Sequence, residues 1–199
     1  MSAEPRESTA WRTRTALEMI ISGVIGLYAS FVLSIEAWVL ASNADASFGC
    51  DVNSVISCSA VAQTPQAQVL GFPNAFLGIF FETVVLAVSV AIVAGVRFPR
   101  WYMLCVELLY TIGLGFALWL FYQSYFVIRV LCPWCLLITA TTTLVWAGLT
   151  RMNIRDGSLP APAWLRRIVE QGLDWAFTGL FLFILLAMLV ARYGVTLLS

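Results

Sequence analysis

The chain is 199 residues long, 61% hydrophobic and 11% charged, with a mean hydropathy of +0.89 and a formal net charge of zero. Soluble domains carry about a quarter of their residues as charged groups, so this composition excludes an ordinary soluble protein and points to an integral membrane protein. All 11 basic residues are arginine and histidine is absent, which removes the usual neutral-pH proton shuttle and the commonest metal ligand; neither a metal site nor a nucleic-acid partner is expected.

Apolar runs long enough to cross the hydrocarbon, roughly 20 residues each, are predicted at 16–41, 75–96, 102–124, 133–150 and 174–194. They make an all-α membrane protein of one domain, 1–199. Ala44-Asp45-Ala46 resembles a signal-peptide cleavage site, but the run before it is too long for a signal sequence. The third and fourth runs are joined only by the apolar stretch Tyr125 to Leu131, which predicts an antiparallel hairpin.

Arginines set the orientation. Arg6, Arg12 and Arg14 precede the first span, Arg97 and Arg100 follow the second, and Arg151, Arg155, Arg166 and Arg167 follow the fourth. These segments are expected on the cytoplasmic side. Only Arg129 and Arg192 remain for the other face, which then carries the 42–74 loop, the joint before Cys132 and the C-terminus. That compartment permits disulfides. The stretch Asp156 to Pro162 is a turn-rich linker, and Trp164 to Glu170 is expected along the inner interface. Gly23, Gly26, Gly113 and Gly115 are expected at close helix contacts, and Trp101, Tyr102, Trp134 and Trp175 near span ends.

Cysteines carry the chemistry. Cys50 and Cys58 lie in a polar, turn-prone stretch expected to be mobile and solvent-accessible. Two such cysteines serve as a shuttle or as a static staple; a second pair nearby favours the shuttle. That second pair is Cys132-Pro133-Trp134-Cys135. Proline suits the first helical position because its missing N–H would be unpaired there, so Cys132 is the expected N-cap and Cys135 the third helical residue. Their sulfurs share a face, and a helix N-terminus favours a thiolate. A structural disulfide is the alternative; zinc would want four closed ligands, and no histidine is available. Cys105 stands alone and is expected to be a buried, inert thiol. Glu36, Glu82 and Glu107 fall in or at the ends of apolar spans, where carboxylates are costly. Glu82 is eight residues, about 12 Å of helix, beyond Asn74. A proton route is one reading; a neutral or paired glutamate turned into the bundle is the other.

Cys50-Asp51 with Cys58 eight positions on, Thr64 six beyond that, Pro73-Asn74-Ala75-Phe76-Leu77-Gly78 opening the second span and Cys132-x-x-Cys135 opening the fourth together resemble the vitamin K epoxide reductase family in its bacterial form. The resemblance implies a four-helix transmembrane bundle around a quinone, capped by the cysteine loop, with a fifth helix outside. It also implies that Cys50 takes electrons from a partner thiol, Cys58 passes them to Cys132, and Cys135 faces the quinone. Animal members carry tyrosine four residues after the last cysteine, where this chain has Thr139. Asn74 is then the better candidate donor to the quinone, with Thr64 also in the site. Many bacterial relatives carry a thioredoxin-like domain after the fifth helix, whereas this chain stops at Ser199, so a separate DsbA-like partner is expected.

The sequence therefore predicts an inner-membrane oxidoreductase that reoxidises a DsbA-like thiol oxidase and sends the electrons to menaquinone or ubiquinone. The arginine-only basic set hints at GC-rich coding and favours menaquinone. A DsbB-like quinone reductase, in which the helix-end pair precedes the loop pair, and a non-catalytic scaffold or transporter stapled by two disulfides are the rivals.

Overall fold

A computed structural model describes the backbone of residues 4–198 and the side chains of residues 10–194; the side chain of Arg6, and Ser199, lie outside the described residues. The first helix, α1, runs from Glu4 to Ser42, well beyond the predicted 16–41. Its polar N-terminal end is helical because it docks: Arg12 pairs with Asp156 at 2.9 Å, and the Arg155 guanidinium lies 4.1 Å from the centre of the Trp11 ring. No apolar period announces these contacts, so a hydropathy reading stops short of them.

After the loop, which holds the short helix α2 (Cys58–Ala62) and a 3₁₀ turn at Pro65–Gln68, the chain enters α3 (Ala75–Val93). Helix α3 ends where Gly95 turns left-handed at φ 91°, with the Gly95 and Val96 N–H groups closing on the Ile92 and Ala91 carbonyls. Left-handed backbone costs glycine nothing, which is why it stops helices there. Helix α4 (Arg100–Tyr122) begins after the extended Pro99 and passes into a π-helical stretch at Gln123–Ile128. Helix α5 (Pro133–Arg155) returns antiparallel to it. Then come the short α6 (Ala163–Glu170) and α7 (Leu173–Leu198).

Among the described residues, five helices are long and apolar enough to cross a membrane. Helix α1 packs on α3 and α5, and α4 packs on α5. Met19, Val85, Val88, Tyr110, Val145, Leu149 and Met152 are fully or almost fully buried at the centre of this bundle. Helix α7 lies outside it, with none of its most apolar window buried. Arg151 pairs with Asp174 at one end of α7; at the other, the Tyr193 hydroxyl donates to the Tyr125 carbonyl at 3.0 Å and Arg192 stacks over the Tyr125 ring. Large apolar side chains such as Ile21, Trp38 and Phe183 point outward, as lipid rather than water as solvent allows.

The glycines divide. A Cβ on Gly26 would strike the Glu82 carboxylate and lie 2.8 Å from the Thr141 hydroxyl, while Gly23 faces Leu86 and Gly113 faces Phe81. Gly115 has nothing within 4 Å, so it serves no close helix contact, contrary to expectation. Cys105 is likewise not buried but exposed on the outer surface of α4; three and four residues on, Leu108 is also exposed and Leu109 half-exposed.

Candidate functional site

The cysteine loop is built by its own polar side chains. Asn53 Oδ1 accepts the N–H groups of Val55 and Ile56, both at 2.9 Å, which turns the chain. Asp51 accepts from the Phe48 N–H at 2.7 Å, the Ser57 hydroxyl at 2.7 Å and the Ser59 N–H at 3.0 Å. Burial works against ionising Asp51, but these donors outweigh it and hold the carboxyl at about 2, below its ordinary 3.8. Ser57 caps α2 by accepting the Ala60 N–H, which makes Cys58 the first residue of that helix.

A single parallel β-bridge then ties the loop to the start of α5. Leu131 donates its N–H to the Val55 carbonyl at 2.7 Å and accepts the Ser57 N–H at 3.0 Å, straddling Ile56. The result lies on the far side of both segments: Cys58 and Cys132, each 1% exposed, bring their sulfurs to 3.7 Å. Cys58 is disulfide-bonded to Cys50, with Cα atoms 5.7 Å apart, whereas Cys132 and Cys135 are free thiols. The expected solvent access thus holds for Val52 to Ser54 between the cysteines, whereas Cys50 is half-buried and Cys58 buried. Cys58 is buried because the bridge and the Asp51 hydrogen bonds turn it inward.

Cys132 is the N-cap of α5 and Pro133 its first residue, and Cys132 Sγ accepts the Cys135 N–H at 3.3 Å. Cys135 is half-buried. Cys58, Cys132 and Cys135 form one wall of a pocket of about 1210 Å³, open mouth included, that runs between the helices and is otherwise mainly apolar. Asn74, Thr64 and Thr139 also line it. Asn74 is engaged with the loop, donating from Nδ2 to the Gln66 carbonyl at 2.7 Å and accepting the Val69 N–H at 3.3 Å; an amide nitrogen carries a second proton beyond this bond. The Thr139 hydroxyl donates to the Cys135 carbonyl at 2.9 Å and that of Thr64 to the Val61 carbonyl at 2.7 Å, so towards a ligand each offers acceptor lone pairs.

Glu36, Glu82 and Glu107 all turn inward. Glu82, 1% exposed, lines the pocket and accepts the Tyr110 hydroxyl at 3.3 Å. Glu107 accepts from Thr150 and from Asn153 Nδ2 and stays outside the pocket lining. Glu36, near the loop end of α1, reaches the loop pair: its carboxylate oxygens lie 3.5 and 3.8 Å from Cys50 Sγ. Sequence reading missed this juxtaposition. Its only signal was a carboxylate near the end of an apolar span, 14 residues before Cys50.

A comparison with protein-family models matches residues 17–149 to one described as the vitamin K epoxide reductase family. No curated protein matches the sequence. The matched stretch begins in α1 and ends in α5, and so takes in the four packed helices, the loop and all four clustered cysteines.

Proposed function

Because the chain belongs to the vitamin K epoxide reductase family, we propose that it reoxidises a DsbA-like, thioredoxin-fold dithiol protein and passes the electrons through its two cysteine pairs to a membrane quinone. The family makes it a multi-pass membrane thiol oxidoreductase in general terms; donor, acceptor and route are the proposal. One observation carries the route: Cys58 Sγ lies 3.7 Å from Cys132 Sγ, between its disulfide to the half-buried Cys50 and a thiol, Cys135, that lines the pocket. A DsbB-like enzyme would have its pairs in the opposite chain order.

The steps follow from which sulfur can reach which. A thiolate of the donor attacks the half-buried Cys50 Sγ, and Cys58 leaves with the electron pair. Cys58 then attacks Cys132 of an oxidised Cys132–Cys135 pair, and Cys135 leaves with the electron pair at the pocket wall. The donor's second thiol frees Cys50, which attacks Cys58 and releases Cys132. In sum the donor dithiol becomes a disulfide, and Cys132 and Cys135 hold its two electrons. A quinone, when bound, supplies the two-electron acceptor. The pocket suits such a group, with Phe116, Leu120 and Phe121 to meet an apolar ring and tail, and Asn74 and Thr139 in its lining to meet its oxygens.

The arginine distribution supports an inner-membrane orientation with the cysteines extracytoplasmic and the N-terminus cytoplasmic. The test is quinone reduction in proteoliposomes containing menaquinone, started with a reduced DsbA-like protein. One quinone should be consumed per disulfide formed, and ubiquinone in parallel liposomes ranks the two acceptors. Donor oxidation that needs no quinone, or that survives Cys132→Ser, would sink the proposal and leave a stapled scaffold as the better account.

A further inference from the structure

We propose that Glu36 is a catalytic residue of the loop pair, passing a proton to and from Cys50 as that sulfur is freed and used again. The inference rests on the relay above but concerns only its thiol chemistry.

Glu36 is 8% exposed within the apolar, membrane-spanning part of α1. A buried carboxyl in such a place calls for a partner. Among the described residues no ion pair reaches it, and its polar contact is Cys50 Sγ. A disulfide sulfur has no proton to donate, so in the oxidised loop this is a bare contact; it becomes a hydrogen bond when Cys50 is a thiol. One carboxylate oxygen of Glu36 and the sulfurs of Cys50 and Cys58 all lie within 4.8 Å of one another. Asp51 and Cys135 are the other ionisable groups within its electrostatic reach. Asp51 is already committed to three loop donors, and Cys135 belongs to the other pair. Glu36 is therefore the carboxyl free to serve Cys50.

The relay needs that service twice per cycle. When the donor's second thiol breaks the donor–Cys50 bond, Cys50 leaves with the electron pair and takes the proton from the Glu36 carboxyl. Before Cys50 attacks Cys58 in the Cys58–Cys132 disulfide it must be a thiolate again, and Glu36 takes the proton back. The S–S bond to Cys132 then breaks, and Cys132 leaves with the electron pair. Glu36 ends the cycle as it began, and no external oxidant or reductant enters these steps.

The experiment uses the full-length protein in detergent, without quinone, pulsed with a reduced thioredoxin-fold donor and quenched with acid. Mass spectrometry then reads the fraction caught as Cys58–Cys132, and iodoacetamide labelling across pH reads Cys50 in the fully reduced protein. Glu36→Gln should slow the return of Cys50 onto Cys58 by about 100-fold, raise the trapped fraction and displace the Cys50 labelling profile. Glu36→Asp, whose carboxyl is withdrawn by one methylene, should fall between the two, and it carries the test if Glu36→Gln does not fold. Trapped fraction and labelling profile equal to wild type in the folded variant would overturn the assignment. Absence of any Cys58–Cys132 species in the wild type would instead remove the relay itself, so the two failures are told apart.

Discussion

Leu131 and Ile56 form the isolated parallel β-bridge that holds the cysteine loop against the start of α5, and this main-chain contact puts Cys58 beside Cys132. Two residues after Ile56 comes Cys58; one residue after Leu131 comes Cys132. The register of the bridge therefore sets which loop cysteine meets the helix pair. A shift of one residue would slide the start of α2 past the start of α5 by about 3.3 Å and part the two sulfurs.

Leu131→Pro removes the N–H that the Val55 carbonyl accepts. The loop should detach from α5, and Cys58–Cys132 cross-linking should fall at least about tenfold, as expected for the loss of a buried hydrogen bond and the exposed partner it leaves. Leu131→Ala also empties a buried position, but it keeps the N–H and should keep the cross-link. Equal cross-linking in the two variants, read by gel shift after diagonal electrophoresis, would mean that the bridge does not set the register.

Cys135→Ala deprives Cys132 of its resolving thiol. With the two sulfurs 3.7 Å apart in the folded protein, a Cys58–Cys132 disulfide should accumulate to most of the population under a mildly oxidising poise. Peptide mapping identifies it. A Cys50–Cys132 link in its place would reverse the order of the loop pair.

Asp51 gives the loop a defined acid limit. Its carboxyl titrates at about 2 in the folded protein against an ordinary 3.8. A depressed folded value means that the carboxylate's contribution is complete above the ordinary value and is lost as pH falls through about 2. Amide exchange at residues 48–59, divided by its intrinsic rate at each pH, should therefore be constant from neutrality to about pH 4 and rise below it. Asp51→Asn should show the raised exchange already at pH 7, at a cost of about 1–2 kcal/mol, near the low end for charged hydrogen bonds because the group is half-exposed.

Two glycine replacements separate close packing from mere composition. Gly26→Ala would drive a methyl into the Glu82 carboxylate and to 2.8 Å from the Thr141 hydroxyl, and should destabilise the bundle by about 1–3 kcal/mol. Gly115→Ala meets open space and should be neutral or stabilising by up to about 1 kcal/mol from helix propensity. Thermal unfolding in detergent measures both; equal midpoints would contradict the Glu82–Gly26 packing.

Composition and pattern by themselves determined the solvent, the five membrane helices, the hairpin of α4 and α5, and the capping of α5 by Cys132 and Pro133. Each is a local matter: apolar length, a short apolar joint, and a proline at a helix start. The ordered cysteines with Pro73-Asn74 were also enough for the family resemblance. Tertiary structure decided what depends on segments far apart in the chain. Helix α1 extends past its apolar run because Arg12 and Trp11 find Asp156 and Arg155. Cys58 turns inward because Leu131 pairs with the loop 75 residues away, and Cys105 and Gly115 face outward because helix rotation is set by packing among helices. Glu36 meets Cys50 because the loop folds back over the end of α1. Sequence spacing cannot report such meetings, since side chains brought together by a returning chain share no period and no local motif.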